Sequence, residues 1–443
     1  VSDASDIVPP SYERNGFLFE GWNINLSSIT KDATVYPIWT PLVSGKIEND
    51  EFIITKLNED FDGYILEQYE LTNQSTGETK QYTTKKIDLE TPYNGYTTIM
   101  SIPASVEYIN FSSSTFTALN KIDVAEGNTK FNSKDNCNAL IETNTNTLVL
   151  GCKSSIIPST VTNIGKNSFY GCIGLSAIEI PEGILSIGEN SFYGCIGLTT
   201  ITIPNTVLNV GKNAFGYCYS LISLTLPFIG DSKENPSDVN FGYLFGANSS
   251  TENSLYIPEA LKEVSIIGGE VLHSNSFNNC NSLTKINILN GVRTIEAKSF
   301  NNCSSLRTVE ISDCVMKINQ NAFDSCSNLT TLSVPFIGAT LNDETNNHFG
   351  YIFGASTYEE NITAIPASLK TVIIAGGPNI VENAFYGCSN LKSVTLSDSL
   401  SRIEGGIFSN CSALTTINLP SSITEIGKQA FKNCACICNE SRT

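Results

Sequence analysis

Apolar positions along this chain recur as one long pattern rather than as separate helical or strand periods. Phe169, Cys172 and Leu175 are followed by the same residue types at Phe192, Cys195 and Leu198, and again at Phe215, Cys218 and Leu221. A second block carries Phe277, Cys280 and Leu283, then Phe300, Cys303 and Leu306, then Phe323, Cys326 and Leu329. A third carries Phe385, Cys388 and Leu391, then Phe408, Cys411 and Leu414, with Phe431 and Cys434 as the last copy. Within each block the step is 23 positions. A step of this size predicts a solenoid, because one coil cannot bury its own apolar face and stacked coils share a continuous core.

Residues Pro204 to Leu226 show how one coil is used. Val207 and Val210 point inward, Gly211 turns the chain, Ala214 and Phe215 fill the core, and Cys218 closes a corner. Leu221, Leu224 and Leu226 alternate as a strand with inward side chains, repeated at Leu306, Val309 and Ile311 and at Leu414, Ile417 and Leu419. Stacking such strands predicts a parallel sheet along one side, with short helical or irregular turns opposite. Departures from the step are themselves periodic. Pro227–Gly230 recurs at Pro335–Gly338 and Phe241–Gly246 at Phe349–Gly354, each 108 positions on. The strand leucines on either side, Leu221 to Leu261 and Leu329 to Leu369, are 40 positions apart. These long coils predict two lateral excursions, about 227–260 and 335–368, separated by four coils. At the strand spacing this is about 19 Å along the axis. Residues Ala139 to Leu150 predict a hairpin thrown out of an earlier coil.

The unit Leu-x-x-Ile-x-Ile-Pro-x-x-Val-x-x-Ile-Gly-x-x-Ala-Phe-x-x-Cys, matched by Ile203 and Pro204, by Ile164 and Gly165, and by Asn213 to Phe215, resembles the BspA-like type of leucine-rich repeat. The resemblance implies an α/β-type leucine-rich repeat solenoid over residues 101–438, with a parallel β-sheet on the concave face and an irregular or short-helical convex side. It also implies an extracellular, cell-surface location and adhesion to host matrix proteins or other cells. Residues 1–41 hold both tryptophans, with Gly16, Phe17, Phe19, Gly21 and Trp22 followed by Val35, Ile38 and Trp39. They read as two short strands and resemble a partial Listeria–Bacteroides repeat, a small β-grasp-like module. Residues 42–100 carry mixed strand signals and are expected to form an N-terminal cap over the first coil, and 439–443 a tail. The last copy stops after Cys438 without a polar cap, which predicts fraying after about Lys432 or end-to-end pairing with another chain.

Composition narrows the function. The formal charge of −18, from 44 acidic and 26 basic residues, argues against nucleic acid, whose phosphates need a basic surface. No apolar run is long enough to span a membrane. Nine of the 14 cysteines share one register and so stack in a column, which predicts small buried thiols rather than alternating disulfides. Of these 14, Cys436 and Cys438 lie outside the register and are expected as exposed thiols rather than a zinc site. The acidic loop Asn58 to Gly63 lacks the later ligands of a calcium loop. The two histidines, His273 and His348, have no counterparts in the other copy of the super-repeat, where Val381 and Asn240 stand, and are expected at the surface. No nucleotide loop or nucleophile elbow is present, so neither an enzyme nor a cofactor is expected.

Two surfaces remain as candidates for binding. The outward positions of the expected sheet form columns of short polar residues that include Thr200, Thr202, Thr225, Thr308, Thr331 and Thr395. The excursions carry Phe241, Tyr243 and Phe245 and their copies Phe349, Tyr351 and Phe353, amid acidic loops. These aromatics either pin the excursion to the solenoid or form an exposed patch. The reading is a non-enzymatic surface protein that binds a host or neighbouring-cell protein or glycan of basic or neutral character. The alternative is a structural spacer or self-assembling surface-layer component without a specific ligand.

Overall fold

In the computed structural model the described residues are 17–22, 37–72, 77–111, 114–341, 345–377 and 380–435. The tail, with Cys436 and Cys438, lies outside them, as do the acidic residues Asp343 and Glu344. The chain divides into two compact units, residues 1–178 with 191–196, and residues 179–190 with 197–443.

In the first unit, Phe17–Trp22 pairs antiparallel with Pro37–Pro41. The rest of the Listeria–Bacteroides resemblance falls outside the described residues. Next, Val43–Glu48 and Glu51–Leu57 form a hairpin, and Glu51–Leu57 lies parallel to Thr79–Asp88. Thr79–Asp88 is in turn parallel to Tyr108–Asn110, and Tyr64 is bridged parallel to Ser101, so the expected cap region pairs with the repeat region. One core joins them. Phe52, Ile54, Tyr69, Ile87 and Tyr93 pack in the same cluster as Met100, Ile102, Val106, Leu119 and Ile122, so no packing boundary falls at residue 100. The expected hairpin is present, with Ala139–Glu142 antiparallel to Thr147–Gly151.

The second unit is built on a sheet of nine parallel strands in chain order, running from Thr200–Thr202 through Ser223–Leu226, Glu263–Ile266, Lys285–Ile288, Thr308–Ile311, Thr331–Val334, Thr371–Ile374 and Ser393–Thr395 to Thr416–Asn418. Each coil contributes one strand, including the two long coils, whose strands start after Leu261 and Leu369. Inward residues such as Leu224, Val264, Ile286, Val309 and Leu332 are essentially fully buried. The ladder phenylalanines stack behind them, with ring centroids 5.5 Å apart for Phe277 and Phe300 and 4.8 Å for Phe300 and Phe323. That spacing is close to the strand repeat of about 4.8 Å, so one ring per coil fills the core without a gap. Burying each ring contributes about 2–3 kcal/mol relative to leaving it exposed.

The corners follow from residue types that tolerate a left-handed backbone. Asn213, Asn275, Asn321 and Asn383 precede the Ala/Ser-Phe pair with φ between 59° and 61°. Before the ladder cysteines, Asn279, Asn302 and Asn410 take φ of 59°, 55° and 66°. Asparagine accepts this region better than other side-chain-bearing residues. The exposed amides also bond coil to coil, Asn302 to Asn279 at 2.7 Å and Asn433 to Asn410 at 2.8 Å. Opposite the main sheet the turns are two-residue strands, such as Val271–Leu272, Thr294–Ile295 and Lys317–Ile318, which pair parallel in succession. The only α-helical turns among the described residues are Asn253–Tyr256 and Asn361–Ala364, both in the excursions.

Eight of the nine ladder thiols are buried, Cys434 is half-exposed, and none of the nine forms a disulfide. Several donate to the carbonyl of a ladder phenylalanine one coil back: Cys303 to Phe277 at 3.0 Å, Cys326 to Phe300 at 3.1 Å and Cys411 to Phe385 at 3.1 Å. In the first unit Cys195 does the same to Phe169 at 3.2 Å. Burial raises the Cys172 thiol to about 12 and lifts Cys326 well above its ordinary value.

Candidate binding face and the lateral excursions

The outward face of the nine-stranded sheet carries two columns of side chains, set by strand register. One runs Ser223, Glu263, Lys285, Thr308, Thr331, Thr371, Ser393, Thr416. The six threonines of the sequence reading lie on this face, Thr200 and Thr202 exposed and Thr225, Thr308, Thr331 and Thr395 half-buried. The regular repeat step passes over the long coils and so misses Glu263, Ser265, Thr371 and Ile373. The spacing Leu261, Val264, Ile266 and Leu369, Val372, Ile374 is the signal that places them.

Those residues change the chemistry of the face. Lys285 Nζ lies 3.3 Å from Glu310 Oε1 and 3.6 Å from Glu263 Oε1. Hydrogen bonding to Glu310 raises the Lys285 pKa, against a smaller effect of burial. Asn287, only 8% exposed, donates through Nδ2 to Glu263 Oε1 at 2.9 Å and to Ser265 Oγ at 3.0 Å. Its Oδ1 is buried and has no donor among the described residues. Beside this group lies a depression of about 510 Å³ lined by Glu310, Thr331, Ser333, Ser312 and the outward-facing Ile373.

The excursions contradict part of the sequence reading. Phe241 and Phe349 are 0% and 1% exposed, and Phe245 and Phe353 are buried as well, so these four rings present nothing to a partner. The reason is packing: a long coil has no Ala-Phe-x-x-Cys segment of its own, and these rings take over its place in the phenylalanine stack. Phe349 lies 4.9 Å from Phe385, and Phe353 lies 5.6 Å from Phe349 and 6.0 Å from Phe323. Phe241 meets Phe277 at 4.9 Å in the same way. Only Tyr243 and Tyr351 remain half-exposed. Burial raises the Tyr243 phenol above its ordinary value, with Asp231 and Asp238 adding to the shift.

A buried asparagine locks each excursion down, and the sequence reading did not find it. Asn253 is fully buried, accepts from Gly242 N–H at 2.9 Å and donates to Asn278 O at 2.8 Å. Its copy Asn361 accepts from Gly350 N–H at 2.8 Å and donates to Ala384 O at 3.1 Å and Tyr386 O at 3.0 Å. Their equivalent places in the super-repeat were the available signal. His348 is also corrected: it is 4% exposed rather than at the surface, with Nε2 3.2 Å from Ala355 O and its ring edge-on to Tyr351. Position 348 opens the buried turn Phe349–Phe353, so its side chain is drawn inward with that turn. His273 is half-exposed, 3.7 Å from Glu296. No cluster of three or more His, Cys, Asp or Glu suited to a metal occurs among the described residues.

Solved structures with similarity to this chain include a leucine-rich repeat protein from Eubacterium ventriosum, 23% identical over 55% of this chain and 68% of that one, with a TM-score of 0.39. Another, from Bacteroides ovatus, is 20% identical over 90% and 92% of the two chains, with a TM-score of 0.32. A leucine rich cell surface protein from Faecalibacterium prausnitzii is 18% identical over 88% and 96%, with a TM-score of 0.21. No curated protein matches the chain. The family model for the BspA type leucine rich repeat region matches in six copies across residues 147–231, 248–366 and 367–440, well over half of the sequence. With its regular coils, stacked phenylalanines and parallel sheet, this chain belongs to the BspA-type leucine-rich repeat family.

Proposed function

We propose that the chain is a non-enzymatic adhesion protein displayed outside the cell, whose outward sheet face binds a protein or glycan of a host or neighbouring cell. The observation that carries this reading is the group of Glu263, Lys285, Asn287 and Glu310 on the outward face, with Glu310 at the rim of the open depression lined by Thr331 and Ser333. A carboxylate at an open rim accepts charge-assisted hydrogen bonds, so the matching ligand group is an N–H or O–H donor. Amines, guanidinium groups and sugar hydroxyls have that chemistry, and an acidic chain favours basic or neutral partners. The short side chains of Thr200, Thr202, Thr225, Thr308, Thr331 and Thr395 keep the rest of the face low and open to close approach. Tyr243 and Tyr351 are the remaining candidate contacts on the excursions. Family membership supports surface display, and no helix among the described residues is long and apolar enough to cross a membrane.

The test is an array of matrix proteins and glycans probed with the parent chain, with Asn287→Leu, with Thr331→Arg and with Tyr243→Ala/Tyr351→Ala. Loss of the parent's signals in the first two variants, at unchanged thermal stability, supports the sheet face. Loss confined to the tyrosine variant moves the site to the excursions, and an empty array for the parent overturns the adhesion reading.

A further inference from the structure

Beside its main sheet the second unit carries a narrower one, made from the two-residue strands of successive coils. Ser186–Ile187 pairs parallel with Asn209–Val210. The segment that follows at this level, Ser232, runs the other way. It is bridged antiparallel to Asn209, with Lys233 N–H donating to Leu208 O at 2.9 Å and Val210 N–H to Asp231 O at 3.0 Å. The parallel series then restarts at Val271–Leu272, which pairs with Thr294–Ile295. The reversal belongs to the excursion itself, since Thr340 is bridged antiparallel to Lys317 in the same way.

Between the reversed strap and the restarted strand lies a cleft of about 640 Å³. Ser232, Lys233 and Glu234 line one side, Glu270, Val271 and His273 the other. Gly268 and Gly269 form its floor. A side chain on Gly268 would meet Asn205 Oδ1 at 2.2 Å, so glycine there lets Asn205 pack directly on the backbone.

The peptide groups of Val271 decide what the cleft can take. In a parallel strand successive peptides point to alternate sides. The carbonyls of Glu270 and Leu272 accept from Thr294 N–H at 3.1 Å and Glu296 N–H at 2.9 Å, so both face the next coil. The N–H and C=O of Val271 therefore face the cleft, at an edge that the reversed strap does not cover. A free strand edge is a template for an added strand. The charges around it are mostly acidic. Glu234 and Glu270 stand exposed on opposite sides, and Glu296 lies 3.7 Å from His273. The one lysine, Lys233, is turned onto Asn205, 2.8 Å from its backbone oxygen and 2.9 Å from Oδ1.

We infer that this cleft takes an extended basic peptide segment of a partner protein, added as a strand to the Val271 edge. The site is separate from the outward sheet face and stands or falls independently of it. The corresponding cleft of the second excursion, about 410 Å³ in volume, has Leu341 and Met316 in place of Lys233 and Leu208 and is the more apolar of the two.

The probe is a labelled decapeptide in which lysine alternates with valine and threonine, titrated into the full chain and followed by fluorescence anisotropy. The parent is expected to bind it and to show slowed hydrogen exchange at the Val271 amide. Val271→Pro, which removes the N–H on the cleft side, is expected to weaken binding at least tenfold, and Glu234→Lys/Glu270→Lys to do likewise. A second measurement does not depend on a folded variant: the same peptide N-methylated at alternate residues, which cannot complete the ladder, is expected to lose at least tenfold on the parent chain. Failure of the basic peptide to bind, equal binding of its N-methylated form, or unchanged exchange at Val271 overturns the proposal. Equal binding of a glutamate-for-lysine peptide overturns the basic specificity.

Discussion

Asn361→Ala tests how the excursions are held. The substitution removes three hydrogen bonds at a fully buried position, those to Gly350 N–H, Ala384 O and Tyr386 O. Ala384 O keeps a second partner in Phe349 N–H at 2.9 Å, so the groups orphaned are Gly350 N–H and Tyr386 O. Each buried, unsatisfied backbone group costs about 1–3 kcal/mol, and the expected loss is about 3–4 kcal/mol. In a solenoid each coil contacts only its neighbours, so the loss should appear as local opening of the excursion rather than as global unfolding. Hydrogen exchange by mass spectrometry on peptides spanning Phe349–Phe353 should speed up by roughly two to three orders of magnitude, the rate equivalent of that loss. Peptides from Lys285–Ile288 should be unaffected. Asn253→Ala should behave alike at Phe241–Phe245. Asn361→Asp retains the acceptor for Gly350 but loses both donors, and it should rescue nothing. A loss below about 1 kcal/mol, or rescue by aspartate, would refute the argument that the amide donors fasten the excursion.

Alkylation of the native protein at mildly alkaline pH should label the half-exposed Cys314 ahead of the ladder cysteines in a background where Cys436 and Cys438 are serine, because burial raises Cys172 to about 12 and Cys434 to about 11. Ladder thiols that label as fast as Cys314, or four or more disulfides among them on thiol counting under denaturing, non-reducing conditions, would contradict this. Asp231 should give the strap a pH dependence. Burial opposes its charge, but hydrogen bonds from Ser237 Oγ and from the N–H groups of Ser237 and Asp238 hold its pKa below the ordinary carboxylate value of 3.8. Its contribution is therefore present at neutral pH and fades as the pH falls below about 4 and through the folded pKa. Asp231→Ala should lower amide protection at Ser237 and Asp238 at pH 7, and the difference from the parent should vanish in acid.

Much of the architecture was legible because the repeat is geometric. A constant step decides which side chains stack, so the phenylalanine column, the buried thiols and the inward strand residues follow from counting alone. The longer recurrence located both excursions, and two apolar segments either side of Thr143 to Asn146 located the hairpin. Counting fails in the two long coils, because their extra residues have no neighbour at the same register. The excursion aromatics were therefore open to two readings, and only packing against Phe277 and Phe385 made Phe241 and Phe349 core. The same gap hid Glu263 and Ile373, whose strands resume the ladder after the excursion.

What the sequence by itself determined is thus the coil, its step and its inward and outward faces, since these depend on spacing that recurs down the chain. Only the tertiary structure decided which groups meet across coils of unequal length: the burial of Asn253, Asn361 and His348, the approach of Lys285 to Glu263 and Glu310, and the reversal at Ser232 that leaves the Val271 edge uncovered. The physical reason is that hydrogen bonds and ion pairs are satisfied in space, between residues whose separation along the chain is set by no period.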